Sequence, residues 1–144
     1  MIWKWGIKIK YLCGCLDLYI RISIMQYDID THGKFSDIFK KIRTILLSYP
    51  QIKELKNAKQ TSYSDEYGVI VMMRAKGNSF VVAFGKGSKL QEKYPKLKGS
   101  GKIVRHLYFK TLADVDEVLL REMIEESFLI GMEGYEMKLL RKSL

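Results

Sequence analysis

Cysteine, histidine and proline are each present only twice in the 144 residues. Two thiols make no disulfide framework at this length, so a reducing compartment is expected, and the cytoplasm with it. Cys13 and Cys15 stand one residue apart, while His32 and His106 are far away in sequence. A structural zinc site uses two paired ligand spacings, and here there is one. With two histidines and no Gly-x-Ser-x-Gly elbow, no set of nucleophile, base and orienting group suggests a triad. Long apolar runs are missing too. Every one is broken well short of the about 18 residues a membrane span needs. Residues 1–24 scatter lysines among apolar residues, with Asp17 and Arg21 interrupting the longest stretch, and do not read as a signal peptide.

Carboxylates are the scarcer charge: 16 Asp and Glu face 25 Lys and Arg, a net of +9. The excess is concentrated. Between Lys86 and Lys110 there are eight Lys or Arg and one acid, Glu92. Such a stretch makes a positive surface wherever it folds, suited to an anionic small molecule or protein partner. Its turns, Gly85-Lys86-Gly87-Ser88 and Lys98-Gly99-Ser100-Gly101-Lys102, offer backbone N–H groups beside lysines. Neither completes a Walker phosphate loop, which needs Gly, four residues and Gly-Lys-Ser/Thr. A soluble, lysine-coated turn is the plainer reading of each. Tyr94, Tyr108 and Phe109 are interleaved with the cations, a composition that single-stranded nucleic acid exploits by stacking, although Phe109 reads as core and nucleic acid ranks below a small anion or a protein as the expected partner.

Length and composition fit one domain with a single core. Residues 1–24 read as a weakly packed extension, with a short strand from Ile7 to Tyr11 and a ribbon turning near Cys13-Gly14-Cys15; Met25 reads as an alternative start. Phe35, Ile38, Phe39, Ile42, Ile45 and Leu46 share one helical stripe over 35–49, ended by Tyr49-Pro50. A short helical turn is expected within 52–59, then a polar loop through Ser64. Tyr67–Arg74 and Ser79–Phe84 read as a hairpin around Gly77-Asn78. Residues 86–102 read as a surface connection. Ile103–Phe109 is a further strand, with Arg105, Leu107 and Phe109 on one face and His106 and Tyr108 on the other. Asp114 with Glu117 suggests a capping box that opens a second helix, whose stripe is Val115, Leu119, Met123, Ile124 and Phe128. Residues 131–144 read as a helical tail weakened by two glycines.

Leu97, Lys98, Gly99, Gly101, Lys102, Arg105, His106, Leu112 and Asp116 follow one another between Phe84 and Phe128. Through these residues the stretch resembles the YdhG-like family of small bacterial domains of unknown function. Ser62-Tyr63-Ser64 departs from it, lacking the proline many members carry before the hairpin. The resemblance, over residues 25–130, implies an α+β fold: an antiparallel sheet flanked by an N-terminal helix and C-terminal helices, similar in outline to frataxin. Some relatives are described as iron chaperones for iron–sulfur cluster assembly, and others occur fused to transcriptional regulators.

Two function classes follow. The first is a non-enzymatic binding module that meets an anion through Lys86, Lys89, Lys98, Lys102, Arg105 and His106, with no cofactor. The alternative is a frataxin-like iron chaperone working through Asp114, Asp116, Glu117, Glu122, Glu125 and Glu126, since oxygen ligands suit hard cations. A solvated helix face whose first acids suit the helix dipole accounts for the same carboxylates.

Overall fold

The structure, a computed structural model, describes residues 24–144 and the backbone of Ile2–Trp3 and Gly6–Ile7. Those two short pieces, β1 and β2, pair antiparallel with Ile2 opposite Ile7. The expected ribbon near Cys13 and both cysteines lie outside the described residues.

From Gln26 the chain runs α1 (Gln26–His32), α2 (Ser36–Leu47), β3 (Lys53–Lys56), β4 (Thr61–Asp65), β5 (Gly68–Lys76) and β6 (Ser79–Phe84). It continues through a short α3 (Gly87–Leu90), β7 (Arg105–Phe109), a single 3₁₀ turn (Leu112–Asp114) and a long α4 (Glu117–Ser143). β3 to β7 form one five-stranded antiparallel sheet in sequence order. The fold is α+β, with N-terminal helices and a long C-terminal helix on the sheet.

Period-two alternation along β6 sorts the two faces. Phe80, Val82 and Phe84 are fully buried and join Met73, Val71 and Phe109 on neighbouring strands in the core. The α2 stripe expected from sequence (Ile38, Phe39, Ile42, Ile45, Leu46) packs onto this face, with Phe39 edge-on to Phe80 at 6.0 Å between ring centres. Leu120, Met123 and Ile124 of α4 close the same side.

Four features depart from the sequence expectations or are absent from them. The helical turn and loop expected over 52–64 are instead strands β3 and β4. Glu54 explains the miss: it points inward, where its carboxylate accepts from Arg43 Nε at 2.7 Å and from the Tyr63 hydroxyl at 2.8 Å. A charged residue in a core position hides the alternation. Burial pushes the Glu54 carboxyl up, but the Arg43 and Tyr63 hydrogen bonds outweigh it and leave it below its usual range. Second, α1 carries no apolar stripe and has no counterpart in the sequence pattern; its buried Asp30 accepts at Oδ1 from the Ala75 N–H (3.1 Å) and from Gln26 Nε2 (2.9 Å), tying helix to sheet. Third, residues 86–102 are not merely a surface connection, because Leu90, Tyr94 and Leu97 are core.

Fourth, the N-cap of α4 is Asp116, which accepts from the Leu119 N–H, whereas Asp114 accepts from the N–H groups of Lys110 and Thr111 in the turn before it. Asp114 cannot serve both turns. The helix then continues without a break through Gly131 and Gly134 to Ser143.

Glycine at two positions separates packing from propensity. A Cβ on Gly87 would lie 2.4 Å from Arg105 N and 2.9 Å from its Cα, whereas one on Gly134 meets nothing within 4 Å. Gly87→Ala is expected to destabilise by about 1–3 kcal/mol through overpacking. Gly134→Ala should stabilise by about 0.5–1 kcal/mol. Urea unfolding of the two variants beside the parent chain checks both signs.

Candidate anion-binding cleft

The Gly85–Ser88 turn is clamped from both sides. Gly85 N donates to Ile70 O at 3.0 Å, and Ser88 N donates to Ile103 O at 2.7 Å. No side chain fits at Gly85, whose Cβ would sit 2.4 Å from Val69 O. Held this way, the turn sends Lys86 across the start of β5 toward α4. Its Nζ lies 3.4 Å from where a Cβ on Gly131 would be, and its Cε lies 3.2 Å from the same point. Gly131, read from sequence as a helix weakener, is the gap that admits the lysine.

The result is a cleft of about 500 Å³ between the β6–α3 turn and α4, bordered by Lys86, Ser88, Lys89, Lys138, Tyr67 and Tyr135. Tyr67 and Tyr135 stand 5.5 Å apart between ring centres, and Glu66 is the carboxylate at the rim. Burial pulls the Lys86 ammonium below its ordinary pKa, and the charge of Asp65 only partly offsets this. Among the described residues no carboxylate comes within salt-bridge distance of Lys86.

Of the six cations expected to form one face, Lys86 and Lys89 meet in this cleft and the other four do not. Lys98 and His106 exchange backbone hydrogen bonds of 2.9 and 2.8 Å at the outer edge of β7, where Lys98 borders a second cleft shared with Asp114 and Asp116. Lys102 is exposed in its loop. Arg105 is engaged within the chain, donating to Gln91 Oε1 at 2.8 Å, to Val104 O at 2.9 Å and to Gly101 O. The two glycine turns are neighbours, since Gly87 and Gly99 both pack on Arg105. Proximity of the turns did not gather their side chains.

Lys138, Tyr67 and Tyr135 are not among the site residues expected from sequence. Lys138 and Tyr135 lie in the tail expected to be weakened by its glycines. The spacing Gly131, Gly134, Tyr135, Lys138 puts small, aromatic and cationic groups on successive turns of one helix face, a pattern visible in the sequence.

The carboxylates that the iron-chaperone alternative would use are dispersed. Asp114 and Asp116 cap backbone N–H groups, Glu117 pairs with Arg121 at 3.1 Å, Glu125 accepts from the Tyr49 hydroxyl at 2.9 Å, and Glu126 faces Lys93 at 3.5 Å. Glu122 is exposed. Among the described residues no three His, Cys, Asp or Glu side chains group so as to hold a metal ion. In the same residues no helix is long and apolar enough to cross a membrane. No family model, no curated protein and no solved structure matches the chain.

Lys86→Met removes a desolvated amine and should raise stability at neutral pH by up to about 1 kcal/mol. The sign follows from linkage. A lysine whose folded pKa is depressed releases its proton earlier in the folded state, so the parent gains stability as pH rises from that folded pKa toward the unfolded value of about 10.4. Urea unfolding at pH 7 and pH 10 should therefore show the advantage of Lys86→Met shrinking at the higher pH.

Proposed function

We propose that the protein is a small non-enzymatic binding module of the YdhG-like kind, whose ligand presents a compact oxyanion to the cleft of Lys86, Lys89 and Lys138. One observation carries this reading: the half-buried Lys86 ammonium has no carboxylate among the described residues within salt-bridge distance. Leaving a charge desolvated and unpaired is unfavourable, and a bound anion would relieve it. Ser88 adds a hydroxyl, and Tyr67 and Tyr135 add walls that are apolar with polar tips. A phosphate or carboxylate on a small molecule, or on a partner protein, offers the same chemistry. The order of N-terminal helix, antiparallel sheet and C-terminal helix is the one the YdhG-like resemblance implies, which supports the family reading at the level of fold.

The iron-delivery alternative has less to draw on. Its carboxylates, apart from Glu122, are engaged by N-caps, by Tyr49 or by Arg121 and Lys93, and displacing those partners would cost stability.

Inorganic phosphate is the probe. It should raise the thermal midpoint of the parent by several degrees once well above its Kd, where one-site linkage reaches about 2.7 kcal/mol at a hundredfold excess. Lys86→Met and Lys138→Met should each remove most of that rise, and Lys102→Glu should leave it intact. Binding should weaken as pH climbs through the depressed Lys86 pKa, because only the ammonium attracts the anion. No phosphate-dependent shift in the parent, or an equal loss in Lys102→Glu, would remove the reading.

A further inference from the structure

Among the described residues no helix covers the other face of the sheet, and this face lies apart from the cleft. Strand register defines it row by row. Ser62 stands opposite Met72, Met72 opposite Ala83, and Ala83 opposite His106. The next row runs from Arg74 to Val81 to Tyr108, and Lys76 pairs with Ser79 beyond it. Residues directly opposite one another project from the same side. A shallow depression of about 310 Å³ crosses these rows, bordered by Lys59, Arg74, Lys76, Val81, His106 and Tyr108.

Three properties of this face act together. Its floor is apolar, since Val81 and Ala83 are almost fully buried beneath their neighbours. Its ends are charged with one sign: Lys59, Arg74 and Lys76 lie on one side, and no strand residue of this face among those described is Asp or Glu. Asp114 and Asp116, which share a cleft with Tyr108, are turned to the N–H groups of Lys110, Thr111 and Leu119, and Asp30 accepts from Gln26 and from the N–H of Ala75, between Arg74 and Lys76 in sequence. Third, Tyr108 is 51% exposed, although an aromatic ring on a strand usually finds cover. The His106 ring lies beside it, 6.2 Å between centres and tilted by 34°.

We infer that this open face binds single-stranded nucleic acid, with bases stacking on Tyr108 and His106 and phosphates meeting Arg74, Lys76 and Lys59. The row from Tyr108 to Arg74 crosses two strand spacings, about 10 Å, so one strand of nucleic acid lies across both groups. Stacking platforms flanked by cations suit unpaired bases, because every base has a ring face to offer. A duplex fits poorly: a flat sheet face presents no helix or ribbon to enter a groove. An acidic protein would satisfy the cations but leave the exposed rings without a partner of their own shape.

The experiment uses the full chain and fluorescence anisotropy with labelled 12-nucleotide oligo-dT and oligo-U. A duplex of the same length and a polyglutamate of comparable charge are the comparison ligands. Both single strands are expected to bind more tightly than either comparison. Tyr108→Ala should weaken binding about tenfold and Tyr108→Phe should preserve it, which is the scale of one base stacked on one ring. Arg74→Gln and Lys76→Gln should each lower the slope of log affinity against log salt by about 0.7. Lys142→Gln, at the far end of α4, should bind like the parent. Tyr108 is exposed, so its variants should melt with the parent, and a melt beside each titration separates lost binding from lost fold. No binding to the single strands, equal binding to duplex or polyglutamate, or unchanged binding by Tyr108→Ala overturns the proposal. Failure of phosphate to stabilise the protein would remove the cleft reading and leave this one standing.

Discussion

The alternation of β6 organises the molecule. Phe80, Val82 and Phe84 point to one side of the sheet and Val81 and Ala83 to the other, and only the first set is large enough to demand a helical cover. Apolar side chains from α2 and α4 share one core with those phenylalanines, and this packing removes both from water. The second side pairs Ala83 with Met72 and Val81 with Arg74, and among the described residues no helix lies on it. An open sheet face and a helix-bordered cleft are two consequences of one strand's residue sizes.

The cleft depends on a second constraint, the close approach of the β6–α3 turn to β7. Gly87 has its backbone against Arg105, and the Arg105 guanidinium in turn holds Gln91 and the carbonyls of the 98–104 loop. This explains why the most basic stretch of the chain does not behave as a single surface. An arginine with fixed fork geometry is well suited to gather carbonyls and an amide oxygen, and here it does so within the protein. The lysines, on flexible stems, leave the same stretch in different directions. Lys86 goes inward over Gly131, and Lys98 goes to the outer edge of β7.

What the sequence made legible follows from how strongly each pattern was forced. The α2 stripe and the β5–β6 hairpin were readable because burial is one-sided and the turn needs Gly77 at φ +59°. β3 was not, because its inward residue is Glu54, and a carboxylate made acceptable by Arg43 and Tyr63 looks like a surface residue until those partners are placed. α1 failed for a related reason: its buried group is Asp30, whose partner is a backbone N–H 45 residues away. In the site, Lys86 and Lys89 were singled out by local charge, but Lys138 and Tyr135 reach the cleft only through the rotation of a 27-residue helix. Local composition identifies a cation; only packing decides what it faces.

The two cationic surfaces differ in how solvent treats them, and this decides what each can do. Arg74 and Lys76 are exposed, so their fields fall off within about 8 Å at physiological ionic strength and act mainly on a ligand already in contact. Many such contacts are needed, which suits a polymer that supplies a phosphate at every step. Lys86 is different. Half withdrawn from water, it is screened less and has lost part of its hydration, so a single well-placed anion gains more from it than from a surface lysine. The same burial that costs stability at Lys86 is therefore what would suit the proposed cleft to one compact charge, while the proposed role of the open face calls for a repeating one.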